Sequence, residues 1–282
     1  MAVPPIAARR SAKGDGIVTL LTDFGTRDAF VGIMKGVILG VNPRARLVDL
    51  THDIEPQDLR AGALVLRSAV RYFPRRTVHL AVVDPGVGSA RRAIAIATPH
   101  AFLVGPDNGV LAPAALALGI KRAHTIDVER LTAVKILRQP VSATFHGRDV
   151  FAPVAAHLSA GLPVQSLGPA TGGIEELALP ACRTSAGKIA GEVIHVDRFG
   201  NLVTNIAEGD LRQLNGFSPA HLSVSIAAMR IRGLVPAYAA VAEGGVLAII
   251  DSWGQLEIAV RGGSAAQRLA ADRGSPVQVA VI

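Results

Sequence analysis

Ile17-Val18-Thr19-Leu20-Leu21, running into the polar turn Thr22-Asp23-Phe24-Gly25, sets the reading of the fold. Five apolar or β-branched residues without polar alternation describe a strand covered on both faces, as in parallel sheets. Outward from it the same unit recurs. Residues 29–40 read as a helix with apolar positions on most faces, 46–50 (RLVDL) as a second strand and 59–72 as a second helix. A third strand, 77–83, closes on Asp84-Pro85-Gly86-Val87-Gly88-Ser89. Short strands alternating with helical patterns predict an α/β domain with a Rossmann-like layered sheet. AIAIA from Ala93 and AFLVG from Ala101 read as a hairpin or adjacent strands, and an Ala-rich helix follows Asp149 to about Ala160.

A chain of 282 residues exceeds the usual size of one hydrophobic core, so two domains are expected. Residues 161–187 gather Gly, Pro, Ser and Thr without periodicity, which reads as a linker. Beyond it GEVIHVD, NLVTNI, HLSVSI, VLAIID, QLEIAV and PVQVAVI form a series of short strands, the texture of a small β-barrel or sandwich. The expected organisation is a disordered tail over 1–16, an α/β domain over 17–170 and a smaller C-terminal β-barrel over 183–282. No internal repeat is evident.

Composition removes several function classes. Half the residues are hydrophobic and 18% are charged, too little polarity for disorder. No apolar run approaches the roughly 20 residues that cross a bilayer. Arg9-Arg10 is followed by a polar stretch rather than a signal-peptide apolar core, so a cytoplasmic protein without membrane association is expected. The single cysteine, Cys182, excludes an internal disulfide. The net charge of +7 is spread over scattered pairs and only 4% of residues are aromatic, which argues against a nucleic-acid platform. None of the eight histidines has metal-pair spacing, so no metal site is expected.

In open α/β sheets ligands collect outside the carboxyl ends of strands, which makes Asp23, Asp28, Asp53 and Asp84 candidates for one crevice. Singly, each reads as a turn or helix-cap residue. Asp-Phe-Gly occurs without the other kinase motifs, and Gly86-Val87-Gly88 lacks the spacing and Lys of a P-loop. His146, in Thr-Phe-His-Gly-Arg-Asp before a helix, stands where a side chain can face a cleft.

Taken in order, Leu21-Thr-Asp-Phe-Gly25 with Asp28, Asp84-Pro-Gly-Val-Gly with Arg91, Phe145-His146-Gly147-Arg148-Asp149, and Asp197-Arg-Phe199-Gly-Asn201-Leu-Val-Thr-Asn-Ile resemble the S-adenosylmethionine hydroxide adenosyltransferase family. The resemblance extends from about Ile17 to the C-terminus, where Ser252-Trp253-Gly254 and Leu256-Glu257-Ile258-Ala259 fit its last motif. It implies hydrolysis of S-adenosyl-L-methionine to adenosine and L-methionine with no cofactor. By the same resemblance Asp84, Arg91 and His146 hold and activate the attacking water, and Asp23 accepts both ribose hydroxyls with Asp28 close by. Asp197, Asn201 and Ser252 contact the methionine portion and the adenine, Phe199 walls the base, and Glu257 with the backbone near Val260 borders the nucleoside. A homotrimer with pockets between subunits is also implied.

The residue types suit the reaction. A sulfonium C5′ carries a neutral thioether leaving group, so departure needs neither general acid nor metal, and the protein must supply an aligned nucleophile. A guanidinium stabilises hydroxide character, while Asp84 or His146 accepts the proton. Halogenating relatives must hold a bare halide, which an anionic Asp84 would repel. Arg92 is followed at once by Ala93-Ile94-Ala95, without the insertion of the fluorinating type, and Gly147 stands where that type has a hydroxyl. A chlorinase-like halide transferase and a non-catalytic nucleoside-binding protein remain the alternatives.

Overall fold

The computed structural model describes residues 16–282; the expected tail, 1–16, lies outside them except for Gly16. The chain divides into two compact units, one through Leu177 and one from Ala178 to Ile282. Among the described residues no helix is long and apolar enough to cross a membrane.

In the first unit come β1 (Ile17–Thr22), α1 (Phe30–Val41), β2 (Arg46–Thr51), α2 (Leu59–Ala69), β3 (Val78–Val82), β4 (Ala93–Ala97), β5 (Phe102–Pro106), α3 (Ala112–Leu118), β6 (Arg122–Thr125) and α4 (Val128–Ala133). A π-helical turn, Gly147–Phe151, then runs into α5 (Ala152–Ser159). The sheet order is β2-β1-β3-β5-β4-β6. β2, β1, β3 and β5 are parallel, and β4 is antiparallel to both β5 and β6. Side chains alternate between two cores. Val18, Leu20, Val78 and Leu80 pack with Met34 and Ile38 of α1 and Val154 and Leu158 of α5. Leu21, Ala81 and Leu103 pack with Leu66 of α2 and Ala115 of α3 on the other side. Burying each Leu or Ile contributes about 1.5–3 kcal/mol, which accounts for strands apolar on both faces. This is the layered α/β arrangement expected. Asp58 caps α2 by accepting the Ala61 N–H at 3.0 Å.

Residues 161–187 are structured on both sides of the division. Thr171 N–H donates to Ala123 O and Glu175 N–H to Asp107 Oδ1, both in the first unit. β7 (Arg183–Ser185) pairs with β8 (Lys188–Val196) in the second. The second unit continues with β9 (Leu202–Ala207), β10 (Leu222–Ile226), β11 (Met229–Arg232), β12 (Val246–Ile250), β13 (Gln255–Val260) and β14 (Pro276–Val281). They form one antiparallel sheet in the order β11-β10-β14-β8-β9-β13-β12. β8 passes from pairing with β14 to pairing with β9, and the end strands β11 and β12 come into contact without a ladder, so the sheet curls into a nearly closed barrel. Ile189, Val193, Leu202, Ile206, Val224, Ile258, Val277 and Val279 fill it. At Gly191 a Cβ would lie 2.4 Å from Asn205 Oδ1 and 2.6 Å from Ile206 Cγ1, so a larger residue would displace these β9 side chains.

Candidate active site

Because β1, β2, β3 and β5 run parallel, the residues that follow them, Asp23, Asp53, Asp84 and Asp107, emerge at one edge of the sheet. β4 runs the other way, with Ala93 paired to Pro106, so Arg91 and Arg92 arrive at that same edge from the opposite chain direction. Arg92 pairs with Asp107 at 2.5 Å. Arg91 takes Asp84: its Nε donates to Oδ1 at 2.9 Å and its Nη2 to Oδ2 in a shorter bond. The two side chains are only 11% and 5% exposed, which keeps solvent from screening the pair.

Arg91 Nη2 also lies 2.8 Å from His146 Nδ1. A guanidinium has no acceptor, so Nδ1 must accept, and a neutral His146 carries its hydrogen on Nε2. Burial first, and then the Arg91 charge, hold the His146 pKa below its usual value against the opposing pull of Asp84 and Asp149, so the ring is neutral at pH 7. The guanidinium carbon stands 5.2 Å from the ring centroid of the fully buried Phe151, a cation–π support that the sequence did not signal. Gly88 brings the Asp84 loop against the segment before His146. It has φ +78°, and a Cβ there would sit 2.5 Å from Ala143 O. That segment is stapled by Asp149, whose carboxylate accepts the Ser142 N–H at 2.8 Å and pairs with Arg148 at 2.7 Å.

Asp23, half-buried, accepts the Gln57 N–H at 2.8 Å, while Asp28 and Asp53 are exposed. Beside Asp23 the rings of Phe24, Phe30 and Phe145 meet edge-to-face at 5.3–6.0 Å between centroids. A Cβ at Gly147 would touch this cluster, 3.3 Å from Phe145 and 3.4 Å from Phe24. Asp23, Asp84, Arg91 and His146 thus share one unit. Asp84, Arg91 and His146 form one hydrogen-bonded cluster, and the aromatic rings join the Asp23 turn to the His146 segment.

The other expected site residues lie in the second unit. Asp197 Oδ1 accepts the N–H groups of Phe199 and Asn201 at 2.8 Å, and Oδ2 accepts from Asn201 Nδ2 at 2.9 Å, which leaves Phe199 at the loop tip with 76% exposure. The loop 251–255 is built the same way: Asp251 Oδ1 accepts from Trp253 N and Gln255 N at 2.8 Å. The pentapeptides DRFGN and DSWGQ are therefore one turn design used twice, a short repeat that differs at three of five positions and so escaped the sequence reading. Ser252 is exposed on the second copy and Val260 is buried in β13. Glu257, 4% exposed, accepts a 2.8 Å bond from Tyr238 Oη. Burial pushes its carboxyl up to about 7, with Asp251 and Asp197 adding to the rise against the Tyr238 bond. Among the described residues no group of three or more His, Cys, Asp or Glu could hold a metal ion.

Comparison with known proteins follows the same division. Residues 18–168 match the SAM hydroxide adenosyltransferase N-terminal domain and residues 191–278 the C-terminal domain. The (R)-S-adenosyl-L-methionine hydrolase of Salinispora tropica is 44% identical over 267 residues, covering 93% of this chain and 97% of that one. A fluorinase of Actinoplanes sp. is more distant, 29% identical over 229 residues, covering 72% of this chain and 75% of the other. The crystal structure of an uncharacterized conserved protein from Thermotoga maritima superposes with a TM-score of 0.86 at 37% identity, covering 93% of this chain and 99% of that chain.

Proposed function

The chain belongs to the SAM hydroxide adenosyltransferase family, and from that premise we propose that it hydrolyses S-adenosyl-L-methionine to adenosine and L-methionine. The relatives' name adds (R) to a substrate whose amino-acid carbon is already specified as L, so the descriptor belongs to the sulfonium centre. This chain takes the same epimer.

Water attacks C5′ from the side opposite sulfur. The C5′–S bond breaks with its electron pair passing to sulfur, methionine leaves as a neutral thioether, and the proton of the attacking water passes to the protein. Asp84 is the acceptor: each of its oxygens retains a lone pair beyond the Arg91 bonds. His146, as placed, presents Nε2–H and orients the water as a donor. Arg91 stabilises the developing hydroxide. Aligning the water in a solvent-poor site contributes several kcal/mol, about 7–11 at the upper limit of such effects. No cofactor takes part. Asp23, with Asp28 close by, binds the ribose. Asp197, Phe199, Asn201, Ser252, Glu257 and Val260 bound the rest of the substrate.

The reading rests on one observation above the others, the single Arg91 nitrogen that reaches both Asp84 and His146. An anionic Asp84 at that point disfavours a bound halide. The protein acts in the cytoplasm as a homotrimer with pockets at its subunit interfaces. Supporting self-association, α1 exposes Phe30, Ile33 and Leu39 beside Gly32 and Gly36, an apolar face suited to burial against another copy.

The test is incubation with each sulfonium epimer in chloride-free, EDTA-treated buffer, followed by chromatography of the nucleosides. Adenosine from the (R) epimer is expected. Formation of 5′-chloro-5′-deoxyadenosine on adding chloride would favour the halide reading, and adenosine binding without turnover the non-catalytic one.

A further inference from the structure

His52, 5% exposed, takes no part in the chemistry above, yet its contacts end on the turn that carries Asp23. Its Nδ1 lies 2.9 Å from Oγ1 of the fully buried Thr22, and Thr22 Oγ1 accepts the Phe24 N–H at 3.2 Å. The His52 carbonyl accepts the Gly25 N–H at 2.8 Å. On the far side, Nε2 stands 3.0 Å from Asp49 Oδ1, a charge-to-ring contact rather than an aligned hydrogen bond, and Asp49 Oδ2 holds Lys35 Nζ at 2.6 Å. Thr22 Oγ1 has two lone pairs and one hydrogen, so while it accepts from the Phe24 N–H it can also accept from Nδ1 or donate to it, and the Thr22–His52 bond forms with the ring in either tautomer.

We propose that His52 is a positioning residue for the reaction: through Thr22 it holds the turn 22–25 and so aims the Asp23 carboxylate at the ribose. This rests on the ribose-binding reading of Asp23. A histidine that merely fills the core would contribute stability without affecting ligand affinity. A positioning residue acts on affinity for any ligand bearing the ribose, with little effect on the rate of the displacement itself.

Thr22→Val is the near-isosteric probe, since it deletes the hydroxyl and leaves both Nδ1 and the Phe24 N–H unpaired in the interior. The expected result is a rise of about tenfold in KM and in the calorimetric Kd for adenosine, with kcat within about twofold of the parent, the scale set by an unsatisfied interior polar group. Amide exchange at Phe24 and Gly25 should quicken in the same variant. Thr22→Ser and His52→Asn, which keep the hydroxyl and a hydrogen-bonding group near the Nδ1 position, should recover most of the affinity; His52→Phe should not. The proposal is overturned if adenosine affinity is unchanged in Thr22→Val, or if His52→Asn and His52→Phe lose affinity equally while Tm falls. Should the parent protein form no adenosine from either epimer, the reading of the reaction fails instead. Amide exchange at Phe24 and Gly25 then still decides whether His52 holds the turn.

Discussion

Asp84→Asn replaces one carboxylate oxygen by an amide nitrogen and removes the charge that Arg91 faces at 2.9 Å, in a pair 11% and 5% exposed. Truncating one member of an interior ion pair costs about 3–5 kcal/mol, and because asparagine keeps one acceptor the expected stability loss is about 1–3 kcal/mol. A domain with the usual 5–15 kcal/mol of stability stays folded under that loss. The effect on rate is larger. A positioned general base is worth about 10²–10⁴-fold, so kcat should fall at least about 100-fold while the adenosine Kd stays within about threefold. His146 does not blur the comparison: Asp84 is one of the charges raising its pKa, so the substitution moves the imidazole further toward its neutral form. The assay is single-turnover formation of adenosine, read beside calorimetric binding and urea unfolding. A variant that retains kcat within about threefold, or that loses affinity while turning over normally, would refute Asp84 as the proton acceptor.

Asp23→Ala should weaken adenosine binding by about tenfold or more and change kcat less, as calorimetry and steady-state kinetics would report; the reverse pattern would mean the two aspartates have been given each other's roles. Glu257, with a folded pKa raised to about 7 from an ordinary 4.5, binds a proton in the folded state that the unfolded chain releases. Its contribution is therefore present below pH 4.5 and lost as pH rises toward 7, by about 3 kcal/mol on the order-of-magnitude linkage scale. Glu257→Gln should flatten the fall in stability between pH 5 and pH 8 seen by chemical denaturation, and equal slopes in the two proteins would count against it. Gly88→Ala forces a left-handed φ and a 2.5 Å contact with Ala143 O, so it should lower stability by about 2 kcal/mol or more and reduce kcat, readable as a drop in Tm.

Much of the fold was legible because it is written locally. Ile17–Thr22 and Arg46–Thr51 carry β-branched and apolar runs, and α2 carries a 3.6-residue pattern behind an Asp cap, so both kinds of element declare themselves within a few residues. β6 (Arg-Ala-His-Thr) and β11 (Met-Arg-Ile-Arg) did not, since four residues with charged members become strands only when a neighbour supplies the ladder. α3 and α4, seven and six residues long, are too short to show a period. Within 161–187, Thr171 and Glu175 were equally illegible, because their partners Ala123 and Asp107 lie far away in the chain.

For the site, the motifs at Asp23, Asp84, Arg91, His146 and Asp197 could be read in order from the sequence, and with them the family and its chemistry. Local residue types and their succession carry that information because each motif closes its own turn. That Asp84, Arg91 and His146 meet was decided by tertiary structure. It depends on β4 running against its neighbours, which delivers Arg91 to the carboxyl edge, and on Gly88 admitting the Asp84 loop beside Ala143. Strand direction and loop contact are properties of pairing between distant segments, and so are the protonation of the His146 ring and the link from His52 to Asp23. Such interactions exist only once the chain has folded to bring their partners within bonding distance.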